Sequence, residues 1–150
     1  MARIESAVVV NRPLEEVFEF VADAENQAQW SAEGARYERI SPGSIGVGSA
    51  WRYTTGFLGR RVEGLRTITE FKPNSMVGFS ATALFDVIGR FQFEPVPTGT
   101  KVTIVVEGEL TGFYRWFRPL VLGLTSMLFA RDMRTLKRLL EERNTRGRSS

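Results

Sequence analysis

The sequence predicts an α+β domain in which a curved, seven-stranded antiparallel sheet wraps round one long C-terminal helix, with two short helices after the first strand. Six segments rich in β-branched and aromatic residues follow one another between residues 35 and 110, with turn residues between them. Residues 113–143 then repeat apolar side chains at helical spacing. One long apolar helix laid against a bent sheet covers its concave face, and this arrangement leaves space inside for a ligand.

The first elements are a strand and two short helices. Residues 4–10 are mostly β-branched or small and predict the first strand, which Pro13 ends. Pro13 also suits the first turn of a helix, and apolar residues at helical spacing extend that helix over 13–22. A second short helix over 24–29 ends near Trp30. Trp30 would either gate an entrance or plug the gap between helix and sheet, and we expect the plug.

The remaining strands form a predicted meander. Their bounds are 35–41, 48–57, 61–72, 75–84, 86–95 and 100–110. Turn residues such as Pro73 and Asn74 separate them, and the break between Phe85 and Asp86 is the weakest. Strands that meet through short turns pair antiparallel, so each of these strands is expected to lie beside its sequence neighbour.

The long helix carries two apolar stripes. The first stripe consists of Phe113, Phe117, Leu120, Val121, Leu124 and Leu128. The second stripe consists of Phe129, Met133, Leu136 and Leu140, with Leu139 beside it. The sideways shift between them predicts that the helix curves or changes its neighbours, with a break near Pro119. The second stripe either packs on the sheet or forms an exposed apolar patch that pairs two chains in a homodimer.

Composition excludes several kinds of chemistry. The 150 residues include no histidine and no cysteine, which excludes imidazole and thiol catalysis and nearly every zinc or haem site. No metal and no cofactor is therefore expected. A hydrophobic fraction of 43% and a charged fraction of 25% are ordinary for one globular domain, which we predict over 1–143. Residues 144–150 are expected to form a basic, frayed tail.

Hydropathy and charge also limit the partners. The longest apolar stretch, 119–130, is too short to span a bilayer, so we expect no stable membrane insertion and a cytoplasmic location. The net charge is +3, and residues 131–150 hold seven basic and three acidic residues. Because these basic residues are terminal and lack interleaved aromatic side chains, nucleic-acid binding is not expected.

Four local sequences resemble those of a known superfamily, in its order along the chain. They are residues 11–23 with Asn26 and Trp30, residues 46–51, residues 59–63 leading into 68–73, and residues 131–141. The chain resembles the START-like, Bet v 1-like (SRPBCC) superfamily, in particular its bacterial polyketide cyclase/dehydrase and lipid-transport branch. The resemblance implies a helix-grip fold. It also implies a function within a group whose members bind lipids, sterols, hormones or polyketides, or act as cyclases, hydrolases or chaperone activators.

Strand alternation selects the side chains expected to face the cavity. The aromatic residues of 48–57 share one face, and apolar residues of 75–84, 86–95 and 100–110 do the same. With the long helix, the expected ligand-binding residues are Trp51, Tyr53, Phe57, Phe79, Phe91, Phe93, Ile104, Leu124, Leu128 and Arg131. A pocket lined in this way favours an apolar or aromatic ligand. The alternative for each apolar member is packing against the helix without a cavity.

Arg131 is the candidate polar contact on the long helix. It falls at about the same helical angle as Leu120 and Leu124, so it would face the sheet and anchor a ligand carboxylate or phosphate. The alternative is a structural ion pair or an outward orientation. Glu107 and Glu109 form no acid–base pair in this interpretation, because alternation turns both outward. No catalytic residue is predicted.

Two functions remain open. The leading hypothesis is the binding or transport of a hydrophobic small molecule, such as a lipid, polyketide or aromatic compound. The second is a cofactor-independent polyketide cyclase/dehydratase-type enzyme, in which a pocket Arg, Tyr or Glu steers and protonates an enolate. A charged or phenolic group with a perturbed environment inside the cavity would favour the enzyme, whereas a wholly apolar cavity would exclude it.

Overall fold

The computed structural model describes residues 2–30, 36–57, 60–82, 86–108 and 113–148. The strands are β1 (Ala2–Val10), β2 (Arg36–Arg39), β3 (Ala50–Phe57), β4 (Arg60–Lys72), β5 (Met76–Thr82), β6 (Asp86–Val96) and β7 (Gly99–Gly108). They form one antiparallel sheet in the order β1-β7-β6-β5-β4-β3-β2. The predicted meander and the predicted α+β class with a curved seven-stranded sheet are confirmed.

The helices also follow the prediction closely. They are α1 (Leu14–Ala22), a 3-10 helix (Ala24–Gln29), α2 (Phe113–Trp116) and α3 (Arg118–Arg148). Pro13 precedes α1, and its carbonyl oxygen accepts a hydrogen bond from the Val17 N–H at 3.1 Å. The break expected near Pro119 lies at Phe117, between α2 and α3. The helical backbone continues to Arg148, beyond the predicted end at residue 143.

One end of the sheet's inner face is closed by α1. Phe18 of α1 lies edge-on to Phe71 and Phe93, with ring centroids 5.4 and 5.0 Å apart. Val77 and Val102, on the same inner face, are fully buried. This end of the molecule is therefore a packed core rather than a ligand site.

The other end of the inner face is less covered. Val87 of β6 and Val106 of β7 point inward but are only half-buried. Val87 lies opposite Gly108, the last residue of β7, and α2 begins at Phe113. We call this part of the inner face, which includes Val87 and Val106, the open end of the sheet.

The C-terminal half of α3 anchors the helix to the sheet. Met133, Leu136 and Leu140 are buried in the core, with at most 1% of each side chain exposed. Lys137 Nζ donates a hydrogen bond to the Val9 carbonyl oxygen at 2.9 Å. The second apolar stripe thus packs on the sheet, and the idea that it forms an exposed dimer patch is wrong. Packing these large apolar side chains against the concave face of the sheet removes their surface from water, and this burial stabilises the folded chain.

The N-terminal half of α3 is packed differently. Val121 is buried, but Leu120 is 70% exposed and Met127 is 61% exposed. Leu124 and Leu128 are half-buried and are not among the described residues that pack against the core. The two halves of the helix therefore have different neighbours, as the shift between the stripes predicts.

Candidate functional site

The aromatic face of β3 points inward, as alternation predicts. Trp51 is fully buried and Tyr53 is 9% exposed, whereas Arg52 between them is exposed. Tyr37 of β2 lies directly opposite Tyr53, and the two rings stack with centroids 5.5 Å apart. This edge of the sheet therefore presents an indole and two phenols to the interior.

Arg66 of β4 lies on the same inner face. It stands between Trp51 of β3 and Ala81 of β5 in the strand register and is only 5% exposed. Its guanidinium carbon lies 4.1 Å from the centroid of the Phe79 ring, within cation–π distance. Arg66 Nη1 donates a hydrogen bond to Gln27 Oε1 of the 3-10 helix. A charged group is thus held in an aromatic setting with an amide as its polar neighbour.

The charge of Arg66 lacks an acidic partner in the described part of the chain. No carboxylate there forms an ion pair with it. A guanidinium has five N–H donors, and Gln27 accepts from one of them. Buried charges in proteins are normally paired, because a lone one loses hydration without compensation. Arg66 is therefore suited to an anionic or acceptor group that comes from outside the chain.

Gly89 creates the space for the ring beneath Arg66. Gly89 of β6 lies directly opposite Phe79 of β5, and a Cβ atom at Gly89 would be 2.5 Å from Phe79 Cζ. Phe79 in turn contacts Phe91, with centroids 5.8 Å apart, and Trp30 lies edge-on to Phe91 at 6.1 Å. Trp30 is 3% exposed, which agrees with the predicted role as a plug.

Further hydrogen-bond donors on this face lack acceptors among the described residues. Trp30 Nε1, Trp51 Nε1 and two guanidinium nitrogens of Arg39 are buried without a partner there. Arg39, Trp51 and Arg66 are direct cross-strand neighbours, and we call them the arginine–tryptophan row. Unpaired buried donors are rare in folded proteins, so a row of them indicates a place for acceptor atoms.

The row extends towards the open end of the sheet. Arg66 pairs with Ala81, Ala81 with Val87, and Val87 with Gly108. The half-buried Val87 therefore lies at the same level of the sheet as the arginines. A ligand bound across this level of the sheet would contact the hydrogen-bond donors of Arg39, Trp51 and Arg66 at one side and apolar side chains such as Val87 at the other.

Tyr53 adds a phenol whose titration is displaced. Burial and, to a smaller extent, the nearby Tyr37 raise the pKa of Tyr53 from 10.0 to about 12, against a lowering effect of the Arg66 charge. The hydroxyl group therefore stays protonated, and able to donate a hydrogen bond, throughout the physiological pH range.

Tyr53 is expected to make stability depend on pH above 10. Its pKa is about 12 in the folded chain and 10.0 in the reference state, so between these values the unfolded chain releases the proton first. The contribution of Tyr53 to the free energy of unfolding is then fully present below pH 10 and is lost as the pH rises towards 12. Urea unfolding of wild type and Tyr53→Phe across this range measures the effect, because the phenylalanine variant lacks this contribution. Parallel stability curves for the two proteins would contradict the assignment.

Most of the predicted site residues lie where alternation places them. The inward and buried members are Trp51, Tyr53, Phe79, Phe91, Phe93 and Ile104. Leu124 and Leu128 are half-buried on α3, and the side chain of Phe57 lies outside the described residues. As ligand contacts, all of these remain proposals.

Arg131 does not face the sheet. It is exposed, because the apolar stripe shifts before this point and turns Met133 and Leu136 inward instead. The arginine that is buried on the inner face in the described part of the chain is Arg66, which was not among the predicted site residues. Its signal was the alternation of β4, where Val62, Arg66 and Ile68 occupy the same inward face.

The fold and the site together define a class of protein. A curved sheet wrapped round a helix, with polar groups on an aromatic inner face, is a helix-grip domain of the ligand-binding type. The model of the family described as Polyketide cyclase / dehydrase and lipid transport matches residues 1–141, so the chain belongs to this family. The resemblance to the START-like, Bet v 1-like superfamily is thereby confirmed.

Solved structures agree with this fold. TTHA0849 from Thermus thermophilus has a TM-score of 0.79 at 21% identity, covering 91% of this chain and 95% of that one. CV1439 from Chromobacterium violaceum has a TM-score of 0.73 at 18% identity, covering 93% and 97%. Ara h 8.0201 has a TM-score of 0.59 at 13% identity, covering 90% and 97%. A comparison with curated protein sequences gives no match. Among the described residues, no helix is long and apolar enough to cross a membrane.

Proposed function

We propose that this protein binds an amphipathic small molecule, with its apolar body on the inner face of the sheet and its anionic head group at Arg66. The observation that carries the proposal is the burial of Arg66 without a carboxylate partner in the described residues. Membership of a family described by polyketide cyclisation and lipid transport supports ligand binding in general.

The energetics favour an anionic head group. The face of Phe79 and the amide oxygen of Gln27 replace only part of the hydration that Arg66 loses on burial. A carboxylate or a similar anion would supply charge-assisted hydrogen bonds to the free N–H groups. The unpaired indole N–H groups of Trp30 and Trp51 would donate to further oxygen atoms of the same ligand.

The apolar body has a separate place on the inner face. Val87 and Val106 are half-buried at the open end, and Leu124 and Leu128 are half-buried on α3. Covering such side chains with a ligand is favourable by about 25 cal/mol per Å² of apolar surface removed from water. We therefore expect both a hydrophobic and an ionic contribution to affinity.

Matched pairs of probes separate these contributions. Dodecanoate and naphthoate are expected to bind at least about tenfold more tightly than dodecanol and naphthylmethanol, which have similar apolar bodies but no charge. Isothermal titration calorimetry at neutral pH measures all four, and thermal unfolding with each probe confirms binding to the folded state. Equal affinities within each pair would rule out an anion-binding role for Arg66.

A second candidate function is cofactor-independent cyclisation of a polyketide-like substrate. The observation that favours it is the presence of a charged and a phenolic group on the same inner face, Arg66 and Tyr53. An intramolecular aldol closure needs no co-reactant. A proton passes from the carbon beside one carbonyl to solvent water, the enolate carbon bonds to a second carbonyl carbon as the π bond of that carbonyl breaks, and the resulting alkoxide takes up a proton, so no net proton is gained or lost. Arg66 would stabilise the enolate oxygen, and the Tyr53 hydroxyl would donate to the alkoxide.

The Tyr53→Phe variant distinguishes the two functions. It keeps the aromatic ring and the Arg66 charge, so a carrier would bind dodecanoate as tightly as the wild type. An enzyme that uses the phenol as a proton donor would lose about 100-fold or more in turnover of a poly-β-ketone while still binding it. Carriage remains the leading function, because the chain has no histidine and no described carboxylate pairs with Arg66 to act as a base there.

A further inference from the structure

An exposed apolar surface lies on the outer side of α2 and the first half of α3. Trp116, at the end of α2, is 84% exposed, Leu120 is 70% exposed and Met127 is 61% exposed. Leu120 and Met127 are seven residues apart and therefore lie on the same side of the helix. Large apolar side chains that are this exposed, and this close along two consecutive helices, usually mark a contact surface.

Basic side chains surround this surface. The exposed arginines on and beside it are Arg115, Arg118, Arg131, Arg134 and Arg138. Arg131, Arg134 and Arg138 follow Met127 at spacings of three and four residues. They therefore lie on the same side of the helix as Leu120 and Met127. Residues 110–131 contain no aspartate or glutamate, and the acidic residues of α3 before Glu142, Asp132 and Glu141, are partly buried. The surface is therefore both apolar and strongly positive.

We propose that this surface docks the protein on anionic lipid bilayers. We call it the docking face, and its members are Arg115, Trp116, Arg118, Leu120, Met127, Arg131, Arg134 and Arg138. A tryptophan and aliphatic side chains with flanking arginines suit the interface of a membrane, where the rings enter the headgroup layer and the guanidinium groups meet phosphates. The helix lies on the membrane and does not cross it.

A second copy of the chain fits this surface less well. In a symmetric dimer the same patch meets itself, so its five arginines would face five arginines, with the partly buried Asp132 as the one acidic residue among positions 115–138. An anionic membrane supplies the missing negative charge along the whole helix. Leu120 and Met127 of the docking face lie on the same half of α3 as Leu124 and Leu128, and docking does not depend on a ligand at Arg66.

The intrinsic fluorescence of the protein reports on docking. The chain has three tryptophans, and Trp30 and Trp51 are at most 3% exposed, so quenching by added iodide reports mainly on Trp116. Vesicles of phosphatidylcholine mixed with phosphatidylglycerol are expected to shift the emission to the blue and to protect Trp116 from iodide. Vesicles of phosphatidylcholine alone should bind much more weakly, and added salt should weaken docking on the anionic vesicles.

Co-sedimentation with the same vesicles tests the residues. Arg115→Gln and Arg118→Gln are each expected to weaken binding about fivefold. Leu120→Ser should also weaken it. Ile88→Ser is the matched control, since Ile88 is 56% exposed on the outer face of β6, and it should leave binding unchanged. Circular dichroism checks that every variant is folded.

Several results would overturn the docking proposal. One is equal binding to neutral and anionic vesicles. Another is an Ile88→Ser variant that binds anionic vesicles as weakly as Leu120→Ser does. A third is a dimer by light scattering whose Trp116 is already protected from iodide before vesicles are added. Binding to anionic vesicles that Arg115→Gln and Leu120→Ser both reduce, with Ile88→Ser unaffected, supports it.

Discussion

An Arg66→Met variant is expected to bind dodecanoate at least about 30-fold more weakly than the wild type. The reason is that a carboxylate at this face would lose its charged partner and stay buried beside Phe79. The unliganded variant should be within about 1 kcal/mol of wild-type stability or above it. Methionine keeps a long apolar stem over the ring, and it removes a charge that no described carboxylate neutralises.

The matched control for this variant is Arg52→Met. Arg52 lies on the outer face of β3, its side chain is 58% exposed, and its ion pair with Glu38 spans 3.9 Å. Exposed pairs of this kind contribute little, so both stability and dodecanoate binding should stay near wild type. Calorimetry and urea unfolding give the two quantities. Full dodecanoate affinity in Arg66→Met, or a stability loss above about 3 kcal/mol, would show that Arg66 serves the fold instead of a ligand.

The sheet was predictable because its signals are local. The β3 strand was predicted from 48 to 57 and runs from Ala50 to Phe57, and its alternation placed Trp51 and Tyr53 inward. Period-two alternation depends only on neighbours in the chain, and turn residues limit each strand. The same locality explains why the break between α2 and α3 was anticipated from Pro119 and the shift of the apolar stripe.

The polar part of the site was not predictable in the same way. Arg66 contacts Gln27, which lies 39 residues earlier, and this approach depends on how the 3-10 helix packs over the sheet. Arg131 was assigned from the helical angle of Leu120 and Leu124, but that angle does not hold beyond the shift. Periodicity fixes which side chains share a face, whereas the partner of each face is decided by tertiary packing.

The two halves of α3 are expected to differ most clearly in stability measurements. Leu136→Ala should lower the free energy of unfolding by about 2 to 5 kcal/mol, because Leu136 is fully buried and its removal leaves a cavity. Leu120→Ala makes the same chemical change on the same helix at a site that is 70% exposed. That variant should stay within about 0.5 kcal/mol of wild type. Urea unfolding followed by circular dichroism measures both.

Hydrogen exchange extends this comparison to the intact chain. Amide protons between Met133 and Leu140 should exchange only through global unfolding, since their side chains are in the core and Lys137 bonds to β1. Amide protons near Leu120 and Met127 should exchange through smaller openings of the helix. Equal protection in both halves, or equal losses in Leu136→Ala and Leu120→Ala, would contradict the assignment of the two stripes.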